Sequence, residues 1–191
     1  MAKTDKYVHG YSPREEQRLH DQAVTLTELL HHDTGYPAGG CVLEAGCGVG
    51  AQTTTLAKSS PDARFISVDI SGESVRAAKK RAGDLGLTNV RFMQADIFNL
   101  PFDDASFDHI FLCFVLEHLP NPVRALQILK GKMKPGGTIT AIEGDHGSTF
   151  FHPVSDAAWK TIQCLVDIQK KHGGDSLIGR RLYPLLEEAG F

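Results

Sequence analysis

The sequence predicts an α/β fold built on a doubly wound, mostly parallel sheet with helices on both faces. Three observations predict it. Short apolar runs alternate with longer amphipathic segments through residues 41–143, which is the pattern of strand–helix–strand units. The run at residues 107–115 is apolar on both of its faces, as a central parallel strand should be. A glycine-rich loop at residues 46–50 joins the first strand to the following helix.

Each element follows from a local pattern. The opening helix begins at a capping box, residues 12–15, with Pro13 at its first position. Ser71 is a suitable cap for the helix after the second strand, and Gly190 is a suitable terminator for the last helix. We expect strands over residues 41–45, 64–69, 90–95, 107–115 and 138–143, and helices over residues 12–32, 51–59, 71–85, 121–134, 155–171 and 180–189.

Composition excludes several classes of protein. The chain has 191 residues, of which 41% are hydrophobic and 23% charged, with a formal net charge of -3. This suits one domain with a buried core, and it argues against a protein that depends on neutralising many phosphates. The longest apolar run, residues 110–116, is too short to span a bilayer, and the N-terminus lacks the apolar core of a signal peptide. We therefore expect a cytoplasmic protein without a membrane span.

The cysteines and histidines predict no metal site. None of the four cysteines forms a C-x-x-C pair, and the nine histidines show no H-E-x-x-H pattern or zinc spacing. The adjacent pair His31 and His32 lies near the end of the opening helix. We expect this pair to favour the negative end of the helix dipole rather than to bind a metal.

Acidic residues end or follow three successive predicted strands. Glu44 stands two residues before Gly46, the first glycine of the loop, Asp69 ends the second strand, and Asp96 follows the third. Glycines allow a tight turn and a close approach of the backbone to a ligand. A carboxylate at Asp69 can accept both hydroxyls of an adenosine ribose, and one at Asp96 can receive an adenine amino group. Open α/β sheets bind ligands at this edge, so the pattern predicts a site for an adenosine-containing ligand.

With these motifs the sequence resembles the class I S-adenosylmethionine-dependent methyltransferases, in particular the broad group that includes the ubiquinone and menaquinone C-methyltransferases. The resemblance covers about residues 40–143 and includes LPF at 100–102, SFD at 106–108, VLEHLP at 115–120 and residues 129–137. It implies a Rossmann-like sheet of seven strands that ends in a β-hairpin. Residues 185–191 resemble the helix before strand six, so we expect the hairpin to be missing and the chain to be truncated after Phe191.

The resemblance implies S-adenosyl-L-methionine as cofactor. Glu44 and the glycine loop would lie against its methionine moiety, Asp69 would bind the ribose with Ile70 flanking the adenine, and Asp96 would face the adenine amino group. Backbone at Cys113 would lie near the methionine end. The cofactor-binding residues implied in this way are Glu44, Gly46, Cys47, Gly48, Asp69, Ile70, Asp96, Ile97 and Cys113.

Methyl transfer to a small-molecule acceptor is the activity that the resemblance implies. A general base is needed only if the acceptor loses a proton as it attacks. His118 is the first candidate and His146 the second, although either histidine can instead serve a structural role in its loop. The Asn/Asp-Pro-Pro-Tyr motif of amino-group DNA methyltransferases is absent after strand four, which argues against a nucleic-acid partner.

The chain is expected to form a single methyltransferase domain with a cover. Residues 41–143 would hold the cofactor, residues 1–32 and 148–175 would form a helical cover over the methyl group, and residues 176–191 would supply the last helix. Tyr11 in this cover could hydrogen-bond the methyl donor or face its sulfonium through a cation–π contact.

Two alternatives remain open. A nicotinamide-binding Rossmann protein expects Gly-x-Gly-x-x-Gly, whereas glycines stand here at 46, 48 and 50 with Ala51 next. A protein that binds adenosylmethionine without catalysis has the same loop and the same strand-end acids.

Overall fold

The computed structural model describes residues 13–191, in which five strands alternate with six α-helices. The strands are β1 (Cys41–Ala45), β2 (Arg64–Asp69), β3 (Val90–Gln94), β4 (Phe107–Cys113) and β5 (Met133–Ile142). The helices are α1 (Pro13–His31), α2 (Ala51–Ser59), α3 (Gly72–Asp84), α4 (Pro122–Lys132), α5 (Asp156–Lys171) and α6 (Leu182–Glu188). Short 3-10 turns lie at Ile97–Asn99, Leu116–His118, His146–Ser148 and Ile178–Arg181.

The strands form one parallel sheet in the order β3-β2-β1-β4-β5. The order reverses between β1 and β4, where successive connections leave in opposite directions and open a crevice at the carboxyl ends. Because all five strands are parallel, those carboxyl ends meet at a single edge. The predicted doubly wound α/β class is confirmed.

Apolar residues are buried on both faces of the sheet. On one face α2 packs on strand residues that include Phe65 and Phe111, with the end of α1 beside it. On the other face α4 and α6 cover the larger cluster, which contains Leu43, Ile110 and Leu112. Burying both faces explains why the central strands read as continuous apolar runs in the sequence. No helix among residues 13–191 is long and apolar enough to cross a membrane.

Side-chain caps start three helices at the predicted places, and at α5 the Ser155 hydroxyl accepts a hydrogen bond of 3.3 Å from the Ala158 amide. The Ser71 hydroxyl accepts a hydrogen bond of 3.1 Å from the Ser74 amide at the start of α3. The Asn121 side chain accepts one of 3.0 Å from the Arg124 amide at the start of α4, and Pro122 occupies the first turn. These caps satisfy amides that a helix leaves unpaired at its N-terminus. The predicted capping box begins at a residue outside the described part of the chain.

The end of β4 was predicted two residues too late. The strand ends at Cys113 because Phe114 adopts φ 57°, a left-handed conformation that breaks the extended backbone. The start of β5 was also wrong, since the strand begins at Met133 and residues 135–137 lie within it. Pairing there shifts irregularly between β4 and β5, so the glycines form a bulge instead of a turn before the strand.

One smaller expectation also changes, and the first helix ends near the predicted place. The last helix starts at Leu182, after a 3-10 turn, rather than at residue 180. His31 lies in the last turn of α1, at the predicted place. It is 7% exposed, its Nε2 shares a hydrogen bond with Gln52 Oε1, and its ring lies 5.8 Å from that of Phe111. Packing of α1 on α2 therefore decides the environment of His31.

Candidate active site

The glycine loop after β1 is tied to β2 and passes close to the chain after β4. The amides of Gly46 and Cys47 both donate to the Val68 carbonyl, at 2.8 and 2.9 Å. Gly46 has φ 82°, and a Cβ placed on it would lie 2.5 Å from a methyl carbon of Val115. Only glycine fits this position. A Cβ on Gly48, in contrast, would meet no atom within 4 Å, so this part of the loop borders open space.

Glu44 supports the loop from inside the protein. Its side chain is 2% exposed, and its Oε2 accepts hydrogen bonds from Thr53 Oγ1 at 2.7 Å and Ser67 Oγ at 2.6 Å. Burial raises the pKa of this carboxyl to about 7, against the lowering effect of the two hydroxyls. The carboxyl therefore joins β1, α2 and β2. Its contact with a methionine moiety stays a prediction.

Asp69 links the loop to the end of β2. Its Oδ2 accepts a hydrogen bond of 2.8 Å from the Gly48 amide, and its Oδ1 accepts one of 2.8 Å from the Ser71 amide. Burial raises the pKa of Asp69, while both amides lower it. A carboxylate has about four lone-pair sites, so its oxygens retain capacity for two ribose hydroxyls. Beside it the Ile70 side chain is 62% exposed, which gives the edge an apolar surface.

Asp96 lies at the end of the neighbouring strand. The Ala95 amide donates to the Asp69 carbonyl at 3.0 Å, which holds the ends of β2 and β3 together. The exposed Asp96 side chain caps the following 3-10 turn through a hydrogen bond of 2.9 Å from the Phe98 amide. Ile97 is 9% exposed and belongs to the core. The roles of Asp96 and Ile97 toward adenine stay predictions.

The ends of β4 and β5 are joined by an acid that sequence reasoning missed. Glu143 follows β5, and its Oε1 accepts hydrogen bonds from the amides of Val115 at 2.8 Å and Leu116 at 2.7 Å. Burial raises the pKa of Glu143 to about 7. Cys113, at the end of β4, is half-buried, and burial raises the pKa of its thiol. The signal was available, since Glu143 repeats the pattern of an acid at a strand end.

The two candidate histidines lie on either side of one buried carboxylate. His118 Nε2 is 3.5 Å from Glu117 Oε1, and His146 Nε2 is 4.0 Å from Glu117 Oε2. The Glu117 side chain is 10% exposed, that of His118 21% and that of His146 37%. The structure thus brings His118 and His146 together around Glu117. Tyr11 lies outside the described residues.

Within residues 13–191, no group of three or more histidine, cysteine, aspartate or glutamate side chains is arranged to hold a metal ion. The site is therefore described by its carboxylates, its imidazoles and the loop backbone.

The strand order, the glycine loop and the acids at successive strand ends define a class I S-adenosylmethionine-dependent methyltransferase fold. A family model described as a methyltransferase domain matches residues 38–190, and the chain belongs to this family. S-adenosylmethionine is the methyl donor of the class. The match favours this donor over the nicotinamide alternative.

Curated relatives cover the same region. A 37.1 kDa protein in transposon Tn4556 of Streptomyces fradiae is 34% identical over 155 residues, which are 80% of this chain and 44% of that protein. The demethylmenaquinone methyltransferase of Staphylococcus aureus is 30% identical over 112 residues, 58% of this chain and 46% of the relative. The chain thus spans less than half the length of these two relatives.

Solved structures share the fold. A SAM-dependent methyltransferase from Aquifex aeolicus has a TM-score of 0.61 at 24% identity, covering 83% of this chain and 88% of the other. A Haloferax volcanii methyltransferase, solved in complex with the Trm112 methyltransferase activator, has a TM-score of 0.71 at 19% identity, covering 100% of this chain and 76% of the other.

Proposed function

We propose that this chain binds S-adenosylmethionine at the carboxyl edge of its sheet and transfers the methyl group to a small-molecule acceptor. The observation that carries the proposal is a hydrogen bond from the Gly48 amide to the Asp69 carboxylate. Gly48 lies in the loop after β1, beside the reversal of strand order, and Asp69 ends β2. Asp96 follows β3, the next strand of the sheet. The acceptor side would lie at the ends of β4 and β5, near Glu117.

The residues present fit the donor. Asp69 offers carboxylate oxygens for a ribose diol, the exposed Ile70 offers an apolar surface for a flat base, and Asp96 offers an acceptor for an amino group. The open space at Gly48 lets the backbone approach a ligand closely. Bound there, the donor supplies a methyl group on a positively charged sulfur.

This chain's contribution to the reaction is positioning, exclusion of water and acceptance of a proton. Aligning the acceptor with the methyl carbon lowers the entropic barrier to transfer. His118 and His146 are the proposed proton-accepting groups, because both lie beside Glu117 at the edge next to the donor loop. A positioned base contributes roughly 100- to 10,000-fold to such a step.

Several features support a small, weakly charged acceptor. Glu117 places a carboxylate at this end of the site, which disfavours a polyanion such as nucleic acid, whereas the nearby Asp145 is paired with Arg180 at 2.8 Å. The segment after β5 offers exposed aromatic side chains, since Phe150 is 90% and Trp159 38% exposed. Among the named relatives, the demethylmenaquinone methyltransferase indicates by its name an acceptor of this kind.

A coupled assay of adenosylhomocysteine release against a panel of phenols, quinols, amines and thiols tests the proposal. Calorimetry with adenosylhomocysteine and with NADH accompanies it, and we expect micromolar-scale binding of the former only. Tight NADH binding without adenosylhomocysteine binding would overturn the proposal. Adenosylhomocysteine binding with no turnover on any acceptor would instead favour a non-catalytic binding protein.

A further inference from the structure

Gln169 is a buried polar residue on α5 that contacts the carboxylate between the two histidines. It is 1% exposed. Its Nε2 lies 3.1 Å from Glu117 Oε2, 3.2 Å from the Glu117 carbonyl oxygen and 3.3 Å from His118 Nδ1. Among the described residues, its Oε1 is buried without a hydrogen-bond partner. An unpaired buried oxygen is a cost, and it accompanies an amide nitrogen whose two hydrogens are shared among three acceptors.

The chain after α5 fastens this arrangement to both loops of the site. The Asp175 amide donates to the Glu117 carbonyl at 2.8 Å, and the His146 amide donates to the Ser176 carbonyl at 3.0 Å. Gly174 packs so closely on the Glu117 carbonyl that a side chain there would clash. The position of Gln169 is therefore supported by backbone contacts of the segment that follows α5.

These contacts decide which nitrogen of His118 carries the proton. Two neighbours of the Gln169 nitrogen, the carboxylate and the carbonyl of Glu117, are only acceptors, so the amide group must present its N–H groups to them. The same nitrogen lies 3.3 Å from His118 Nδ1 and has no lone pair to accept a hydrogen bond, so a proton on Nδ1 would face only N–H groups and Nδ1 is the unprotonated nitrogen. Neutral His118 accordingly has its proton on Nε2, facing Glu117 Oε1 at 3.5 Å. Both ring nitrogens of His118 are thus committed within the protein.

We propose that Gln169 is a positioning residue that holds the Glu117 carboxylate and fixes His118 as the Nε2–H tautomer, which leaves His146 to receive the acceptor's proton. The last step rests on the proposed function. In it a bond forms between the acceptor atom and the methyl carbon, the donor sulfur keeps the electron pair of the broken carbon–sulfur bond, and the acceptor's proton moves to the His146 imidazole. Glu117, 4.0 Å from His146 Nε2, would stabilise the resulting cation.

Imidazole nitrogen NMR tests the tautomer without any acceptor. Protein labelled with ¹⁵N-histidine is examined at about pH 8, where an ordinary histidine is neutral, and the His118 signals are assigned by their loss in His118→Gln. We expect His118 Nδ1 to show the shift of an unprotonated nitrogen. A proton on Nδ1 in the wild-type protein would overturn the proposal, whether or not any variant folds.

Variants on α5 test the origin of the tautomer. Gln169→Leu should convert His118 to a mixture of both tautomers, with adenosylhomocysteine affinity changed by less than about threefold. Gln163→Leu is the matched control, because Gln163 is an exposed glutamine of the same helix whose amide donates to the neighbouring Asp167 side chain at 3.0 Å. The control should leave the His118 signals unchanged. A folded Gln169→Leu protein with unaltered His118 signals would remove Gln169 from this role.

Kinetics separate the two histidines once an acceptor is found in the screen. His146→Gln should lower kcat by roughly 100-fold or more with little change in the KM for the donor, and His118→Gln should lower it by less than about tenfold. The reverse ranking would refute the assignment of His146. Failure of every acceptor to react would count against the proposed function and leave the tautomer result to decide the role of Gln169.

Discussion

Replacing Glu44 by glutamine should change how stability depends on pH. The Glu44 carboxyl keeps its proton in the folded protein up to about pH 7 because burial raises its pKa, whereas an exposed glutamate releases its proton near the ordinary pKa of 4.5. Between these two pH values the folded state binds more protons than the unfolded state. The free energy of unfolding therefore falls as pH rises through this window. Glutamine has nearly the same shape and cannot ionise.

The size of the effect follows from the two pKa values. From 4.5 to about 7, at about 1.4 kcal/mol for each pH unit, the Glu44 contribution declines by about 3 kcal/mol. Burial raises the pKa of Glu143 as well, and Glu143 should add its own decline, so the Glu44→Gln variant does not become independent of pH. The difference between wild type and Glu44→Gln isolates one group. As pH rises from 4.5 to 7, the free energy of unfolding of the wild type should fall by about 3 kcal/mol relative to that of Glu44→Gln.

Urea unfolding followed by circular dichroism, at half-unit steps between pH 4.5 and 8, measures this difference. Glu188→Gln is the control, because Glu188 is an exposed glutamate on α6, and its profile should run parallel to the wild type. Parallel profiles for Glu44→Gln and the wild type would show that the buried carboxyl does not hold its proton, and would refute the reasoning.

Three further predictions concern the donor side and the cover. Asp69→Ala should weaken adenosylhomocysteine binding at least tenfold in calorimetry, since a charged hydrogen bond contributes roughly 1.5–3 kcal/mol; unchanged affinity would remove Asp69 from the site. Gly46→Ala should lower the free energy of unfolding by roughly 1–3 kcal/mol, because the new methyl meets Val115; chemical denaturation measures this, and a neutral result would contradict the close approach. Hydrogen exchange should slow in residues 1–32 and 148–175 when adenosylhomocysteine is added. Protection confined to the glycine loop and Asp69 would mean that the two segments do not form one cover.

Elements governed by local chemistry could be predicted from the sequence. Ser71 and Asn121 cap the helices that they precede, and β2 has its predicted bounds. These features depend on the order of residues within a few positions. The strand-end acids also fell at one edge of the sheet, because parallel strands place their carboxyl ends together.

Features that depend on long-range contacts could not be predicted in this way. Phe114 adopts a left-handed backbone that its residue type disfavours, so nothing local marks the end of β4. The contact of Gln169 with Glu117 joins residues 52 positions apart. Its recognition requires knowing which loop α5 meets. The hydrogen bonds that Glu143 accepts from backbone amides depend in the same way on the pairing of β4 with β5.

The placement of the site contacts along the chain has a consequence for divergence within this family. The contacts proposed for the donor come from residues 44–97, whereas those proposed for the acceptor side come from the loops after β4 and β5 and from α5. Backbone contacts at residues 174–179 anchor the second set. Residues 149–168, which the proposal places at the acceptor side, can therefore change their side chains while both anchors and the donor loop stay intact. A new acceptor specificity can arise in this stretch without loss of the methyl donor.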